Sequence, residues 1–495
     1  MTFDLAQLDS LGVRLTRLVT DSRAVRPGDT FAAFPGEHVD GRLFIEQAMA
    51  NGANAVIFEA NHFNWQPDWN LPHLAVADLR HYAGALADRV YGAPSKQLNM
   101  IGITGTNGKT SCCHWIARAL AAAGQRSAMI GTLGNGFPDA LEPSPNTTPE
   151  AIRVHGLLAE FLAQGAQSVA MEVSSHALQQ GRVNGVEFDI ALLTNLSRDH
   201  LDYHGNMDHY AAAKRKLFDW PSLRQVVVNL DDSFGAGLIE ELQDAPAELI
   251  GYGLTEAALN RAERCGIRMV YGRALSMDAQ GLNLSIHSSW GSATLNSGLI
   301  GRFNASNLLG VLAVLLVSGV NLNQAVAVLA SLSSVTGRMQ KLGGNGQPTV
   351  VVDYAHTPDA LEKVLAALRE VSATQDGQLG CVFGCGGDRD RGKRPMMGLI
   401  AEKQSDWTIV TSDNPRSEAP QAIIADIVAG MTAVPTVIED RAAAIRAAVA
   451  RAAASDTVLI AGKGHEQYQE VGNVKQPFSD VQVAEAALQN WGAAA

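Results

Sequence analysis

A glycine-rich stretch at residues 102–110, G-I-T-G-T-N-G-K-T, carries the residue types that bind nucleotide phosphates. It follows an apolar strand and precedes a helical pattern that begins near Lys109. In such a loop the backbone N–H groups turn toward phosphate oxygens, and the helix N-terminus adds its positive end. Lys109 can reach the β- and γ-phosphates, and Thr110 can offer its hydroxyl to Mg²⁺. We predict a phosphate loop, the alternative being an ordinary glycine-rich turn between a strand and a helix.

The spacing of this loop departs from the usual pattern G-x-x-x-x-G-K-[ST]. That pattern requires glycine at position 103, where this chain has Ile103. The glycines that are present, Gly105 and Gly108, leave a shorter loop. The motif therefore indicates a nucleotide site and leaves open which phosphate is handled and for what purpose.

A carboxylate lies where an open α/β sheet binds its ligands. In M-E-V-S-S-H, Glu172 lies near the carboxyl end of an apolar strand, which is the ligand-binding edge of a parallel sheet. A charge there is costly unless it meets a cation, and Mg²⁺ takes carboxylate and phosphate oxygens as ligands. We predict Glu172 as a magnesium ligand. The alternative is an acidic side chain that faces solvent at a strand end.

Three histidines follow the next strand, in and just after T-N-L-S-R-D-H-L-D-Y-H-G: His200, His204 and His209. A zinc site would need a cysteine or acidic partner at familiar spacing, which this stretch lacks. One imidazole at a magnesium site beside phosphates is the better hypothesis, and spacing alone does not choose between His200 and His204. Lys214, in H-Y-A-A-A-K, is followed by two more cations, a pattern typical of a solvated helix face.

A second polar stretch, T-S-D-N-P-R-S at 411–417, follows a strand near the end of the chain. We expect it to project from the carboxyl edge of its sheet toward the middle of the protein. Pro415 fixes the backbone, and Arg416 then presents a planar fork that suits a carboxylate. The alternative is a surface turn with a solvated arginine.

The composition limits the class of protein. At 495 residues the chain is long enough for about three domains, and with 46% hydrophobic residues each can bury its own core. The formal charge is −12 and there is no basic block, which argues against a general electrostatic grip on nucleic acid.

Targeting and redox signals point to one compartment. The N-terminus has neither a basic n-region nor an apolar h-region, so we expect no secretory signal. The most apolar run, Leu308 to Val320, is shorter than the roughly 20 residues of a spanning helix, and we predict a buried core helix. Five cysteines in so long a chain are typical of a reducing compartment. We expect a cytoplasmic monomer with no nucleic-acid or membrane partner.

Short Val- and Ile-rich runs alternate with Ala-rich helical stretches, the pattern of α/β domains with largely parallel sheets. One series of runs begins at Leu98 and a second at residue 348, and the Gly- and Pro-rich end of the segment 332–348 between them indicates an interdomain turn. The first hundred residues have fewer and shorter runs. We predict three domains, at 1–97, 98–335 and 336–495.

Several motifs together closely resemble the Mur ligases, the ATP-dependent amino acid ligases of peptidoglycan precursor synthesis. They are G-T-N-G-K-T, M-E-V-S-S-H, N-L-S-R-D-H-L-D-Y-H-G, D-Y-A-H-T-P-D-A-L and G-C-G-G-D-R-D, and the resemblance covers nearly the whole chain. It implies a small N-terminal α/β domain for the uridine nucleotide, a central P-loop-type ATPase domain with a mainly parallel sheet, and a C-terminal Rossmann-like domain.

The resemblance also implies ligands and site residues. ATP and two Mg²⁺ ions would act with a carbamylated Lys214, and the catalytic residues would be Lys109, His200 and Lys214. The metal ligands would be Thr110, Glu172, His200 and the Lys214 carbamate. The ATP loop would comprise Gly105, Thr106, Asn107, Gly108, Lys109, Thr110 and Ser111. The positions that match contacts to the UDP-muramoyl-dipeptide are Thr20, Ser22, Glu37, His38, Val39, Asn146, Thr147, Thr148, Ser174, Gln180 and Arg182. Those that match contacts to the incoming amino acid are Arg389, Asp413, Asn414, Pro415, Arg416, Gly462 and Glu466.

Within the family the chain is most similar to members that add the third residue of the stem peptide to UDP-N-acetylmuramoyl-L-alanyl-D-glutamate. There D-N-P-R marks members that add meso-diaminopimelate, whereas lysine-adding relatives lack the arginine. meso-Diaminopimelate is lysine with an extra carboxylate at its far end, so the fork of Arg416 fits it chemically. We therefore expect ligation of meso-diaminopimelate through an acyl phosphate.

Other functions fit the motifs less well. A ligase that adds L-lysine, or a folylpolyglutamate-type ligase, would share the loop and the chemistry. A P-loop motor or kinase would leave the Rossmann-like domain and D-N-P-R unexplained. A dehydrogenase would rest on G-C-G-G at 384–387, which lacks the G-x-G-x-x-G spacing. A non-catalytic binding module would leave the phosphate and metal residues without a purpose.

Overall fold

The computed structural model describes residues 3–36, 39–278, 281–344, 346–373 and 376–492. Its strands form sheets of four, eleven and six strands, in that order along the chain, and a two-stranded hairpin follows. Helices cover the sheets, and most pairings within them are parallel. The predicted α/β class, with its three parts, is confirmed.

The N-terminal sheet is parallel throughout and has the order β1-β2-β3-β4. Its strands are β1 (Leu18–Val19), β2 (Thr30–Ala33), β3 (Ala55–Glu59) and β4 (His73–Val76). Its helices are α1 (Ile45–Ala50) and α2 (Leu79–Val90). Apolar residues fill both faces of β2 and β3, which explains why these runs are short and continuous rather than alternating.

The central sheet carries the phosphate loop, and its order is β15-β14-β13-β12-β11-β10-β5-β9-β6-β7-β8. The strands are β5 (Asn99–Thr104), β6 (Ser127–Gly131), β7 (Gly134–Phe137), β8 (Ala140–Glu142), β9 (Ser168–Glu172), β10 (Ile190–Leu193), β11 (Gln225–Asn229), β12 (Glu248–Gly253), β13 (Arg268–Asp278), β14 (Gly281–Ser288) and β15 (Gly291–Ser297). The helices are α3 (Lys109–Ala122), α4 (Ala151–Ala163), α5 (Ser175–Gln179), α6 (Leu201–His204), α7 (Met207–Arg215), α8 (Ser233–Glu241), α9 (Glu256–Cys265), α10 (Arg302–Val317) and α11 (Leu322–Ala330).

The apolar run that begins at Leu308 lies in α10 and is buried against the central sheet, as predicted. The helix has no polar face because α3 and strands β11 to β13 pack around it. Among the residues that the structure describes, no helix is both long enough and apolar enough to cross a membrane.

The C-terminal sheet has the order β16-β17-β21-β18-β19-β20, and only β16 is antiparallel to its neighbour. Its strands, with those of the separate hairpin β22-β23, are β16 (Gln340–Gly343), β17 (Thr349–Asp353), β18 (Leu379–Phe383), β19 (Trp407–Val410), β20 (Thr436–Val437), β21 (Thr457–Ala461), β22 (Tyr468–Val471) and β23 (Val474–Pro477). The helices are α12 (Pro358–Ala373), α13 (Lys393–Gln404), α14 (Pro420–Val428), α15 (Arg441–Arg451) and α16 (Asp480–Gln489).

Two local expectations differ from the structure. The segment 332–348 is not only an interdomain turn, because strand β16 lies within it and pairs with β17. Strands β13 to β15 form an antiparallel extension of the central sheet. Continuous apolar runs did not predict these strands, because their residues alternate between apolar and polar. Period-two alternation over 268–297 is the signal that would have found them.

Candidate active site

The phosphate loop joins β5 to α3 and needs glycine at two places. Gly105 and Gly108 have φ of 146° and 86°, values that L side chains rarely adopt. A Cβ on Gly105 would overlap the Thr194 hydroxyl, and one on Gly108 would come within 2.7 Å of Asn307 Oδ1. The loop is therefore held closely against β10 and α10, with its backbone N–H groups at the helix N-terminus.

The other predicted ATP-loop residues line this turn. Thr106 donates its hydroxyl to the Ser197 carbonyl at 3.1 Å, and the backbone N–H of Asn107 donates to Asn195 Oδ1 at 3.0 Å. Ser111 lies buried in the first turn of α3. These contacts fix the loop before any ligand binds, which is the preorganisation that phosphate binding requires.

Two lysines, the half-buried Lys109 and the buried Lys214, meet at one backbone carbonyl. Lys109 Nζ and Lys214 Nζ each donate to the oxygen of Gly105 at 2.8 Å, and Lys109 also donates to the Thr106 carbonyl at 2.9 Å. Burial lowers the pKa of Lys109. Burial, and then the charge of Lys109, lower the pKa of Lys214 well below its ordinary value. Lys214 is therefore not on the solvated helix face that its cationic neighbours suggested, because α7 turns it inward.

Glu172 is fully buried at the carboxyl end of β9. Its carboxylate accepts from the Thr110 hydroxyl at 2.9 Å and from the backbone N–H of Thr132 at 2.7 Å. The solvent-facing alternative is thus wrong. Within the described part of the chain Glu172 forms no ion pair, so its charge is met by neutral donors only. A buried carboxylate in this state suits a divalent cation.

His200 lies beside this carboxylate and loop, with its backbone in the left-handed region at φ 54°. Its Nε2 is 3.4 Å from Asp199 Oδ2, and the His176 ring is 4.8 Å away between centroids. Burial lowers the pKa of His200 to about 3, although Asp199 opposes the change. The ring is therefore neutral at pH 7 and keeps a lone pair for a metal.

The other two histidines are engaged differently. His204 Nε2 lies 3.0 Å from the Ser175 hydroxyl, and His209 Nδ1 lies 3.2 Å from the His204 carbonyl. His200, but neither His204 nor His209, lines the cavity that holds the loop and Glu172. The structure thus distinguishes between candidates that spacing left equal.

A cavity of about 150 Å³ brings the predicted catalytic groups together. Its lining includes the ATP-loop and metal candidates and two dipeptide-binding candidates: Thr106, Asn107, Gly108, Lys109, Thr110, Glu172, His200, Lys214, Thr147 and Ser174. A larger adjoining cavity of about 430 Å³ shares the loop and extends between α10 and α12. Together the two cavities have the layout of a small phosphate-binding cavity that adjoins a wider cavity for the rest of a nucleotide.

Of the predicted dipeptide-binding residues of the central part, Thr147 and Ser174 line the smaller cavity. Thr148 is buried and donates its hydroxyl to the Glu172 carbonyl at 2.8 Å, and Thr147 Oγ1 is 3.0 Å from Thr132 Oγ1. The Ser174 hydroxyl caps α5. Asn146 is exposed in the preceding loop. 

Gln180 and Arg182 form a short polar pair near these residues. Arg182 Nε donates to Gln180 Oε1 at 2.7 Å, and Arg182 Nη1 donates to the Thr148 carbonyl at 3.0 Å. The pair thus connects the end of α5 to the loop that carries Thr148.

The predicted uridine-binding residues lie in the N-terminal part. Thr20 donates its hydroxyl to Glu150 Oε1 in the central part at 2.8 Å, so this position joins the two domains. Ser22 is buried and donates to Gln47 Oε1 at 2.7 Å. Val39 is 55% exposed. The predictions at positions 37 and 38, Glu37 and His38, fall outside the described residues.

The residues predicted to hold the incoming amino acid gather at the carboxyl edge of the C-terminal sheet. Asp413 and Asn414 follow β19, and Gly462 and Glu466 follow β21. Asn414 Nδ2 donates to Glu466 Oε2 at 2.8 Å. Lys463, between the latter pair in sequence, is fully buried.

Two arginines complete this edge. Arg416 donates from Nη1 to the Gly387 carbonyl at 2.8 Å and from Nε to Glu470 Oε2 at 3.2 Å, so it is held rather than solvated. Pro415 before it is buried. Arg389 is exposed in the loop after β18 and donates to the Asp388 carbonyl at 2.8 Å.

Sequence reasoning missed two basic residues at these sites. Arg338 Nη2 donates to Thr110 Oγ1 at 3.2 Å, and its guanidinium lies 4.4 Å from the centre of the Tyr354 ring. Lys463 Nζ donates to Asn414 Oδ1 at 2.8 Å and to Glu466 Oε2 at 2.9 Å. A lone cation within a glycine-rich segment was the only signal in either case.

The residues present fit Mg²⁺ better than a protein-only metal centre. In the described ranges no three His, Cys, Asp or Glu side chains form a metal-binding group. Thr110, Glu172 and His200 nevertheless face the same small cavity, where phosphate oxygens would supply further ligands. Mg²⁺ usually takes one or two carboxylates with substrate phosphates, which matches this donor set.

Comparison with known proteins gives the same picture over the whole chain. Family models match at residues 14–91 ("Mur ligase family, catalytic domain"), 103–315 ("Mur ligase middle domain") and 337–464 ("Mur ligase, glutamate ligase domain"). The chain is 52% identical to a Chromobacterium violaceum protein and 50% identical to one of Pseudomonas aeruginosa, both named UDP-N-acetylmuramoyl-L-alanyl-D-glutamate--2,6-diaminopimelate ligase. Each match covers 99% of this chain and 97% of the relative.

Solved structures agree in fold. One with the same ligase name is 38% identical, covers 96% of this chain and 95% of its own, and has a TM-score of 0.66. The MurF ligase of Thermotoga maritima, solved in complex with ADP, is 18% identical, covers 99% and 100%, and has a TM-score of 0.65. The latter likeness concerns the fold alone.

Three α/β parts around a phosphate loop, with a carboxylate and a neutral imidazole beside it, define a nucleotide-dependent enzyme of the ligase class. The chain belongs to the Mur ligase family.

Proposed function

We propose that this enzyme joins meso-2,6-diaminopimelate to UDP-N-acetylmuramoyl-L-alanyl-D-glutamate with ATP and Mg²⁺, through an acyl phosphate, as a step of cytoplasmic peptidoglycan precursor synthesis. It would act as a monomer. Residues 1–97 would bind the uridine nucleotide, 98–335 the ATP and the dipeptide, and 336–495 the amino acid. Relatives about half identical over nearly the full length carry the name of this activity.

The observation that carries the proposal is the shared cavity of about 150 Å³. Lys109 of the phosphate loop and Thr147 and Ser174, which match dipeptide contacts, line the same small space. A nucleotide γ-phosphate and a substrate carboxylate would therefore meet there. An acyl-phosphate mechanism requires the two groups to meet, whereas a motor or a dehydrogenase does not.

The chemistry follows from the leaving group. A carboxylate and an amine do not condense directly in water because oxide is a very poor leaving group. Transfer of the γ-phosphoryl group to the carboxylate creates an acyl phosphate; attack by the amine then forms the amide and releases phosphate. Lys109 would hold the transferring group by its charge, and the loop N–H groups would orient it.

Thr110, Glu172 and His200 would hold Mg²⁺, and the bound ion would neutralise part of the negative charge of the phosphates. Lys214 would contribute as a carbamate: CO₂ joins its neutral amine, one proton is released, and the cation becomes an anionic oxygen ligand. The lowered pKa of Lys214 favours the unprotonated amine that this reaction needs.

The test is a phosphate-release assay with ATP, the UDP-muramoyl-dipeptide and one amino acid at a time. We expect release with meso-diaminopimelate and almost none with L-lysine or without an amino acid. Equal release with L-lysine would assign the enzyme to the lysine-adding group. Phosphate release with a folate substrate and glutamate, and none with the muramoyl dipeptide, would assign it to the folylpolyglutamate-type ligases.

A further inference from the structure

The hairpin β22-β23 lies against the D-N-P-R stretch, beyond residue 464 where the family model of the C-terminal domain ends. Its two strands pair antiparallel and are separate from the six-stranded sheet. Arg416 forms an isolated parallel bridge with Val471 of the hairpin. The hairpin is thus in direct backbone contact with Arg416, the residue expected to distinguish meso-diaminopimelate from L-lysine.

The first strand of the hairpin also holds the two residues that open the stretch. Gln469 Nε2 donates to the backbone carbonyl of Asp413 at 2.6 Å. The backbone N–H of Glu470 donates to Asn414 Oδ1 at 2.9 Å, which leaves Asn414 Nδ2 to face Glu466. Three of the four D-N-P-R residues therefore take their positions from β22.

The backbone of Arg416 is held in an unfavourable conformation. Its φ of 50° lies in the left-handed region, which is energetically costly for a residue with a side chain. Two hydrogen bonds to the hairpin offset this cost: Arg416 N donates to the Glu470 carbonyl at 3.1 Å, and Gly472 N donates to the Arg416 carbonyl at 2.8 Å. Without the hairpin the arginine would be free to leave this conformation.

The protein engages only two of the N–H donors of the Arg416 guanidinium. An arginine has five N–H donors; here Nε donates to Glu470 Oε2 and one Nη1 hydrogen to the Gly387 carbonyl. The remaining donors lie on Nη1 and Nη2, at the end of the fork. The side chains of Arg416 and Glu470 are 22% and 24% exposed, so a small ligand can reach that end.

We propose that Glu470 is the positioning residue for Arg416 and thereby sets the preference for an amino acid with a second carboxylate, an inference that rests on the proposed function. The Glu470 carboxylate occupies the Nε edge and directs the ligand carboxylate to the Nη1–Nη2 end. Holding a long side chain in its bound geometry reduces the entropy lost on binding. L-Lysine does not use this fork and gains nothing from it.

The test measures KM and kcat for Glu470→Ala and Glu470→Gln. In Glu470→Ala we expect KM for meso-diaminopimelate to rise about tenfold, and discrimination against L-lysine to fall by the same factor. KM for ATP and for the muramoyl dipeptide should stay unchanged. Glu470→Gln keeps an acceptor for Arg416 Nε and should restore most of the affinity. Val474→Ala, on the exposed partner strand, is the matched control and should behave as wild type.

The possible outcomes separate this inference from the proposed function. A wild type that ligates meso-diaminopimelate, with a folded Glu470→Ala variant of unchanged KM and discrimination, contradicts the role of Glu470 alone. A variant equally impaired for all three substrates shows a merely structural role and contradicts it too. A wild type inactive on meso-diaminopimelate contradicts the proposed function itself. Should Glu470→Ala lower Tm markedly, Glu470→Asp replaces it, and there we expect KM for meso-diaminopimelate above that of Glu470→Gln; a KM equal to that of wild type would contradict the inference.

Discussion

Lys109 and Lys214, 105 positions apart in the chain, donate hydrogen bonds to the same carbonyl oxygen, that of Gly105. Two ammonium groups on one oxygen repel each other; Lys214 is buried and Lys109 is half-buried. The pKa of each is lowered, and that of Lys214 is lowered by burial first and by Lys109 next. The arrangement therefore favours the neutral amine more strongly at Lys214 than at Lys109.

The first prediction concerns Lys214. Lys214→Ala should lower kcat about 100-fold, because the carbamate oxygen that would hold Mg²⁺ is lost. Formate or acetate, which can occupy the vacated space, should restore part of the activity in a concentration-dependent manner. Lys216→Ala is the matched control, since Lys216 is exposed and donates to Gln179 instead. A crystal of the active, ligand-bound enzyme with a plain ammonium at Lys214 would contradict the prediction.

The second prediction concerns Lys109. Lys109→Ala should lower the rate of phosphoryl transfer by a factor of about 100 or more, since the lysine offsets charge that grows during the reaction. The fold should persist, because the loop is also held by the Thr106 and Asn107 contacts. Phosphate release under single-turnover conditions measures the effect, and circular dichroism checks the fold. Near-normal ligation by a folded variant would show that the loop is only structural.

The third prediction concerns acid stability through Glu418, which orders the loop that carries Arg389. Its carboxylate accepts from Arg394, Arg391 and the backbone of Asp388. The hydrogen bond from Arg394, foremost, lowers the pKa of Glu418 to about 2. Because the pKa of Glu418 is lower in the folded state, its charged form stabilises the folded protein at pH values above the ordinary pKa of 4.5. This stabilisation is lost as the pH falls toward 2.

Glu418→Gln should therefore lower Tm by about 2 °C or more at pH 7, because the buried Arg394 loses a charged partner. The difference from wild type should shrink when both proteins are melted at pH 3. Glu362→Gln, an exposed change on α12, serves as the control. A difference that stays constant between pH 7 and pH 3 would mean that charge at Glu418 is not involved.

The sequence predicted the fold class well because parallel buried strands are short, apolar and continuous, so their runs stand out. It missed the antiparallel strands β13 to β15, which face solvent on one side and alternate instead. At the site, glycine and lysine spacing was enough to predict the loop. The inward direction of Lys214 could not be read, because three neighbouring cations on a helix leave its rotation undetermined until α7 is packed.

The contribution of β22 was also beyond sequence reasoning. Glu470 lies 54 positions from Arg416, and the contacts between them are mostly backbone contacts, which carry no residue-type signal. Arg338 was missed for a similar reason, since a single arginine in a turn predicts nothing until the turn is placed beside Thr110. The ligand contacts of the individual site residues stay predictions, and the mutants test them.

The last prediction concerns Arg416, the residue on which we expect the choice of amino acid to depend. Nη1 donates one hydrogen to the Gly387 carbonyl, and the other donors at the end of the fork have no protein acceptor among the described residues. The Nε edge and the backbone are fixed by the hairpin. meso-Diaminopimelate would place its far carboxylate at these remaining donors and form charge-assisted hydrogen bonds, whereas L-lysine has no second carboxylate to offer them. A site built to pair a polar group rejects an analogue that lacks it by about 10⁴-fold.

Arg416→Ala should lower kcat/KM for meso-diaminopimelate by about 100-fold or more and leave L-lysine as poor a substrate as before. The ratio of the two kcat/KM values should therefore fall only because meso-diaminopimelate becomes a poorer substrate. ATP affinity, measured by isothermal titration with a non-hydrolysable analogue, should not change, because Arg416 follows β19 and does not line the loop cavity. Arg446→Ala, an exposed arginine on α15, controls for the loss of one positive charge. A variant that keeps the wild-type preference would show that another group binds the second carboxylate of meso-diaminopimelate. The role proposed for Arg416 would then be wrong.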